Sequence, residues 1–433
     1  MSEHHIELTN AAAERHAADD LTPAERGYRL ALSHFPEYVP ALMNLGYLCA
    51  DTGRLAEGID FLTRAVHLEP NNAAAHLNLG FALELAGSYD EQFACCARAA
   101  ELAPQSASAR FNHARALLLN GDFERGWDEF EYRWELEPLA SGKRNFVQPL
   151  WAGEDISGRT ILLRAEQGYG DTLQFMRYVP LIAALGATVI LAVQPRLVRL
   201  LRSLAGVARL IPDDGVPIPD FDVHCPLLSL PRAFRTRLES IPAQVPYLAA
   251  DAQDLAFWAS CTAYTRDMRV GLVWSGNPAK FDRRLARTNL RRSIALAELL
   301  PLAGIPGIQY YSLQKGEHAE DALHPPEGMN LIDLTDAIRD FGDTAALIEN
   351  LDLVVTVDTA VAHLAGALGK PVWVLSRVDG CWRWLRARGD SPWYPTLRLY
   401  RQRELNRWGA VIDEVARDLR ALMQARRPGS PHR

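Results

Sequence analysis

Residues 68–87 read LEPNNAAAHLNLGFALELAG. The same pattern stands 34 positions earlier, HFPEYVPALMNLGYLCADTG at 34–53, and 34 positions later, LAPQSASARFNHARALLLNG at 102–121. Prolines recur at Pro36, Pro70, Pro104 and Pro138, each of the last three preceded two places before by Leu68, Leu102 or Leu136. In the same register fall Asn44, Asn78 and Asn112; Gly46, Gly80 and Ala114; Gly53, Gly87 and Gly121; and Ala31, Ala65 and Ala99. Apolar residues at three- and four-residue steps on either side of the central glycine make each unit two amphipathic helices around a turn. The small residues mark where those helices cross closely.

The period, the small-residue positions and the prolines resemble the tetratricopeptide repeat over about residues 23–138. The usual aromatic near the start of each unit is replaced by Leu42, His76 and Arg110. The resemblance predicts an α-solenoid over 1–140 whose concave groove takes a protein or peptide partner. Asn44, Asn78 and Asn112 match asparagines that hold an acceptor peptide's backbone in the O-GlcNAc transferase superhelix, because a side-chain amide both donates and accepts. Alternatively they bond neighbouring repeats. Trp127, Phe130, Tyr132 and Trp134 form an aromatic cap at the end of the array.

The whole chain of 433 residues, 48% hydrophobic and 23% charged, has the composition of a folded water-soluble protein of several domains. A net charge of -7 and a pI near 6.0 are the wrong sign for a generic nucleic-acid or anionic-membrane binder. Cys49, Cys95, Cys96, Cys225, Cys261 and Cys381 include no C-x-x-C pair, which points to buried thiols in a reducing compartment. The N-terminus has no signal-peptide pattern. The charge-free stretch from Tyr178 to Val193 contains Pro180 and Gly186 and is too short to span a bilayer. A soluble cytoplasmic protein, with self-association open, is expected.

After a linker containing Lys143, Arg144 and Pro149, short apolar runs alternate with helical segments, as in parallel α/β sheets. Strands are predicted at 160–164, 188–193, 207–211, 222–225, 268–274, 308–313, 353–357 and 372–375. Helices are predicted at 171–185, 194–204, 294–303, 343–351 and 359–368. The Pro-rich passage from Pro242 to Pro246 divides two Rossmann-like domains, 145–265 and 266–400. The apolar spacing of Trp408, Val411, Ile412, Val415, Leu419 and Leu422 predicts a closing helix within 401–424, followed by a disordered tail at 425–433.

Three loops at strand ends carry chemistry. The first, AEQGYGDTLQF at 165–175, holds Gln167, Gly168 and Gly170 before Asp171, an N-cap or more. No acidic residue stands at a ribose-binding offset after it, which argues against NAD. The second, VDTAVAHLAGALGKP at 357–371, opens a helix at Thr359, Ala360 and Val361 with free N–H groups and a positive dipole end suited to an anion. The third, GLVWSGNP at 271–278, offers Ser275, Gly276 and Asn277 to phosphate. Lys315 in SLQKG, with Arg292 as second choice, supplies a cation, while 283–291 reads as a solvated basic loop.

These loops, with the later WRWL and SPWYP segments, resemble the glycosyltransferase family that contains the lipopolysaccharide heptosyltransferases, over about 145–400. That resemblance implies a GT-B fold and a nucleotide-sugar donor. It places Asp358, Thr359 and His363 at the donor diphosphate and makes Asp171 the base that deprotonates the acceptor hydroxyl. It also lets Lys315 neutralise the leaving group, and Trp382, Arg383 and Trp384 hold base or sugar. The family commonly carries an acidic residue where Cys381 stands. No D-x-D occupies the right loop, so transfer without a metal or other cofactor is expected. The layout is similar to O-GlcNAc-transferase-like and flagellin-glycosylating proteins, which implies a protein acceptor. A catalytically inactive scaffold that binds a nucleotide or protein, or a transferase acting on a glycan or lipid, are the alternatives.

Overall fold

The computed structural model describes residues 3–137, 139–263, 265–276 and 283–426. The chain divides into two compact units. The first comprises Met1–Ala140 with Val378–Trp382 and Arg403–Leu405; the second comprises the remainder.

The first unit is an array of helices: α1 (His4–Ala17), α2 (Leu21–His34), α3 (Val39–Asp51), α4 (Leu55–Leu68), α5 (Ala73–Leu85), α6 (Tyr89–Leu102), α7 (Ala107–Leu119) and α8 (Phe123–Phe130). The ladders now have physical causes. Gly53, Gly87 and Gly121 take φ of +88°, +74° and +83° in the turns within each helix pair, a region that favours glycine. Gly58 lies against α3 so closely that a Cβ there would sit 2.7 Å from the Gly46 carbonyl oxygen. Ala31, Ala65 and Ala99 are fully buried. Pro36, Pro70 and Pro104 each follow the residue that closes α2, α4 or α6, where proline prevents continuation; Pro138 lies outside the described residues. Asn72 and Ser106 cap α5 and α7 by accepting the N–H of Ala75 and Ala109.

Helix α1 was not evident in the periodicity, because only Thr9 and Ala12 of its residues are buried. It packs on α2 where Gly27 faces Ala12. At the other end of the array Trp127 meets Trp382 edge-on at 5.1 Å, and the Tyr89 hydroxyl donates to the Val378 carbonyl. The aromatic cap thus closes over a returning segment of chain, and Trp382 is buried there. Trp382, expected to hold base or sugar, packs here on the repeats.

The second unit holds two parallel sheets. The first contains β1 (Thr160–Arg164), β2 (Thr188–Val193), β3 (Val207–Pro212) and β4 (Val223–Pro226) in the order β3-β2-β1-β4. Between and after them run α9 (Tyr169–Phe175), α10 (Val179–Ala184), α11 (Val198–Leu201), α12 (Leu230–Ala233) and α13 (Ala252–Thr262). The second sheet contains β5 (Met268–Val273), β6 (Ile308–Ser312), β7 (Leu331–Asp333), β8 (Leu353–Val357), β9 (Val372–Ser376) and β10 (Leu397–Arg401) in the order β10-β9-β8-β5-β6-β7. With it go α14 (Arg283–Arg292), α15 (Phe341–Glu349), α16 (Ala360–Ala367) and α17 (Gly409–Ala425). Every residue of β6 and β8 is buried, as expected of parallel strands covered on both faces. Val411, Ile412, Val415 and Leu419 of α17 join the core under the second sheet. Helical repeats followed by an α/β region of two parallel sheets is the expected fold class.

Several local expectations differ. The helix predicted at 171–185 is broken into α9, a 3-10 turn at Met176–Tyr178 and α10, whose first turn contains Pro180. Proline lacks the N–H needed to continue the earlier helix and suits the start of a new one. Leu296–Leu302 is a 3-10 helix with Pro301 inside it, not an α-helix. The segment at 194–204 forms only a 3-10 turn and the short α11. The basic segment read as a loop is α14. Four elements of this unit went unread: β7, β10, α12 and α13.

Candidate functional site

In an open parallel sheet, ligands bind outside the strand carboxyl ends where the strand order reverses. In the first sheet the chain leaves β1 toward β2 and β3, then returns to β4 on the other side; in the second it leaves β5 toward β6 and β7, then returns to β8. The reversal points are therefore β1/β4 and β5/β8. All three motif loops follow β1, β5 or β8.

The first loop ends in α9. Gly168 occupies the N-cap, and Asp171 accepts its N–H at 2.9 Å. The Gln167 carbonyl accepts from Gln194 at 2.8 Å, which fixes the loop. The second loop opens α16. Thr359 is extended and turns its hydroxyl to that of Thr356 at 3.1 Å, so no side chain caps the helix. The Ala362 N–H bonds the Thr359 carbonyl, while Asp358, Thr359, Ala360 and Val361 are half-buried. An uncapped start presents N–H groups and the positive end of the helix. The two helix starts meet: a Cβ at Gly170 would lie 3.5 Å from Ala360 Cα and 2.8 Å from His363 Cδ2.

His363 is buried. Its ring stacks on Trp384 at 5.2 Å, and Nδ1 lies 3.0 Å from the Tyr394 hydroxyl. Burial, reinforced by the charges of Arg383 and Arg177, pushes its pKa well below the ordinary 6.5, so the imidazole is neutral. Arg177 is buried beneath it, with its guanidinium 4.6 Å from the Tyr394 ring and donating to the carbonyls of Gln174, Pro242 and Trp393.

Other expected residues disperse. Arg292 reaches the site and donates to the Asp358 carbonyl at 3.2 Å and to Asn289 at 3.0 Å. Together these two side chains occupy the space beside Gly276. Ser275 is buried, and its hydroxyl bonds Ser293 at 3.0 Å instead of facing the opening. Asn277 lies outside the described residues. Lys315 follows β6, two strands from β8 and so roughly 10 Å across the sheet. Its ammonium donates to the Thr335 and Ile338 carbonyls at 2.7 and 3.4 Å. In the repeats, Asn44 and Asn78 are half-buried on α3 and α5. Asn112 spends its amide on α7 itself, donating to Ser108 at 2.9 Å and accepting from Arg115 at 3.5 Å.

Sequence reasoning missed Arg177, Arg377 and Tyr394. Arg377 follows β9, the neighbour of β8, and donates to the Thr288 carbonyl at 3.4 Å. Its place after a predicted strand was the available signal. Tyr394 belongs to the SPWYP segment, but nothing local announces its bond to His363. Arg383 was singled out for a sugar or base. It binds Asp171 instead, and through Nε it donates to Gln174 at 2.6 Å.

Fold and site together define a helical-repeat protein carrying a two-sheet α/β region, with an acidic glycine loop packed on an Asp-Thr helix start. Residues 338–375 match the family described as glycosyltransferase family 9 (heptosyltransferase), and residues 39–72 and 61–107 match the tetratricopeptide repeat. The chain thus joins tetratricopeptide repeats to a heptosyltransferase-like domain. It is 28% identical over 325 residues to Protein FlbA of Caulobacter vibrioides, covering 68% of this chain and 52% of that one. The chain therefore spans about half the length of this curated relative. Among solved structures it is similar to a glycosyl transferase family 9 protein from Veillonella parvula, at 9% identity and a TM-score of 0.43, over 58% of this chain and 88% of that one. It is also similar to a mutant O-GlcNAc transferase of Thermobaculum terrenum, at 16% identity and a TM-score of 0.37, over 98% of this chain and 92% of that one.

Proposed function

We propose that the protein is a glycosyltransferase that moves a sugar from a nucleotide-sugar donor to a hydroxyl of a protein segment engaged by the repeats. The observation that carries this reading is the packing of the Asp171 loop onto the uncapped start of α16, at the reversal points of two parallel sheets. In this reading the acceptor oxygen bonds the anomeric carbon while its proton passes to Asp171. The bond from that carbon to the phosphate oxygen breaks, and its electron pair leaves with the nucleoside diphosphate. Amides at the head of α16 and the Arg292 guanidinium stabilise the departing charge, with Lys315 further along the same sheet edge. Neutral His363 offers its remaining nitrogen without adding charge.

The reading includes transfer without a metal. The Arg292 guanidinium at the Asp358 carbonyl supplies the positive charge in this reading. Six free cysteines fit a cytoplasmic location, and no helix among the described residues is long and apolar enough to cross a membrane.

The test is release of nucleoside diphosphate from a panel of nucleotide sugars, with and without chelator. Turnover that persists in chelator, and that Asp171→Ala abolishes while donor binding remains, supports the enzyme. Binding without turnover for every donor leaves the inactive scaffold. Replacing Asn44 and Asn78 together by alanine is expected to raise KM for a peptide acceptor several-fold, and unchanged transfer assigns the acceptor to glycan or lipid.

A further inference from the structure

Both oxygens of the carboxylate assigned above as the base already accept a hydrogen bond. One oxygen of Asp171 accepts the Gly168 N–H at 2.9 Å, and the other is bound by the Arg383 guanidinium. While Arg383 stands on it, the oxygen that the glycine loop does not hold is screened from an incoming hydroxyl. Arg383 is held by a second point, its Nε donating to the fully buried Gln174 at 2.6 Å, so the head of the side chain keeps an anchor when its outer nitrogens turn. Its neighbour Trp384 stacks on His363, and Asp171 adjoins Gly170, which touches the α16 start. The charge of Arg383 already acts on His363. Arg383 thus bonds the loop that touches the α16 start and adjoins the ring that stacks on α16, beside the place where an anion would meet the helix.

We propose that Arg383 gates Asp171: the donor's diphosphate draws the guanidinium away from the Asp171 carboxylate, and only then is the base open to the acceptor hydroxyl. This rests on the function proposed above. A diphosphate outcompetes the carboxylate because it carries more charge and matches the planar fork of arginine with paired oxygens. The Gly168 N–H continues to hold the other carboxylate oxygen, so the freed base stays oriented. The consequence is ordered binding, donor before acceptor, with the base masked while no donor is present.

The gate makes the diphosphate and Asp171 competitors for one residue, which a double-mutant cycle detects. The affinities of ADP, GDP, UDP and CDP are measured by calorimetry on the full chain, with melting temperatures as the folding control. Arg383→Gln is expected to weaken binding roughly tenfold, the scale of one lost charge-assisted hydrogen bond. Asp171→Asn is expected to tighten it by about threefold or more, since the guanidinium no longer has to leave a carboxylate. In the Arg383→Gln background Asp171→Asn is expected to change nothing. Direct repulsion between Asp171 and the ligand would instead give the same gain in both backgrounds, and that result, or no gain in either, overturns the gate while leaving the proposed function standing. If the wild-type chain binds none of the four, the function and the gate fall together. Should Arg383→Gln melt far below wild type, Arg383→Lys replaces it, with a smaller loss and the same vanishing of the Asp171→Asn effect.

Discussion

Gly170 and His363 interlock. The imidazole fills the space where a side chain at position 170 would project, 2.8 Å from Cδ2 to an ideal Cβ. A glycine loop under one sheet and a helix under the other are thereby held at a spacing that admits no methyl group. Gly170→Ala must move His363, which is pinned on its other sides by Trp384 and Tyr394. We expect about 1–3 kcal/mol of lost stability from overpacking and loss of most donor affinity. Melting and nucleotide titration measure the two; unchanged values in both would mean that the loop and helix move apart freely.

Tyr394→Phe keeps the ring that packs around His363 and removes its hydrogen-bond partner. A buried Nδ1 left unpaired costs about 1–3 kcal/mol, so denaturant unfolding should show a fall of that size. The low pKa of His363 also sets a pH dependence. Its neutral form is the folded one, so the unfolded chain binds the extra proton first, and stability declines as pH falls below about 6.5. His363→Gln should flatten that part of the stability profile.

The sheets were legible because buried parallel strands read as unbroken apolar runs, such as VILAV at 189–193. The motif loops were legible because glycines and an Asp-Thr pair punctuate the ends of those runs. The edge strand β10 was not, since LRLYR alternates charged and apolar residues and follows an irregular stretch. The Arg383–Asp171 pair joins residues 212 positions apart, and no local pattern encodes such a bond. WRW at 382–384 shows the limit most clearly. Its first tryptophan is buried with Trp127 of the repeats and its last with His363, a divergence that only the backbone path decides.

Arg199 binds three aspartates. Its Nε donates to Asp340 at 2.9 Å, another nitrogen lies 2.9 Å from Asp343, and a third is bound to Asp254. Asp340 also caps α15 by accepting the N–H of Gly342 at 2.8 Å. Arg199→Ala would leave Asp340 facing Asp254 and Asp343 between α13 and α15, with Arg339 still bound to Asp343 at 2.9 Å. The expected loss is up to about 3 kcal/mol, toward the lower end for a broken ion-pair network because the group is partly solvated. Asp340→Asn in the same background should recover part of it, and a double-mutant cycle in urea reads the coupling.

The repeats carry their own acid-sensitive joint. Arg54, at the start of α4, grips both oxygens of Glu25 in α2 at 2.7 Å, and Arg29 adds a bond at 2.9 Å. The Arg54 hydrogen bonds, opposed by partial burial and aided by Arg29, hold the Glu25 carboxyl down at about 2 against an ordinary 4.5. The ionised form is the folded one, so the unfolded chain takes up the proton first. The stabilisation is therefore complete above about pH 4.5 and is lost as pH falls toward 2. Because the pair is partly exposed, the loss should be about 1 kcal/mol, and salt should reduce it. Hydrogen exchange of the α2–α4 amides at pH 5 and pH 3 reports it locally. Glu25→Gln should make those amides as fast at pH 5, after correction for intrinsic exchange, as the wild type is near pH 2.5; protection unchanged by the substitution would show that helix packing alone holds the joint.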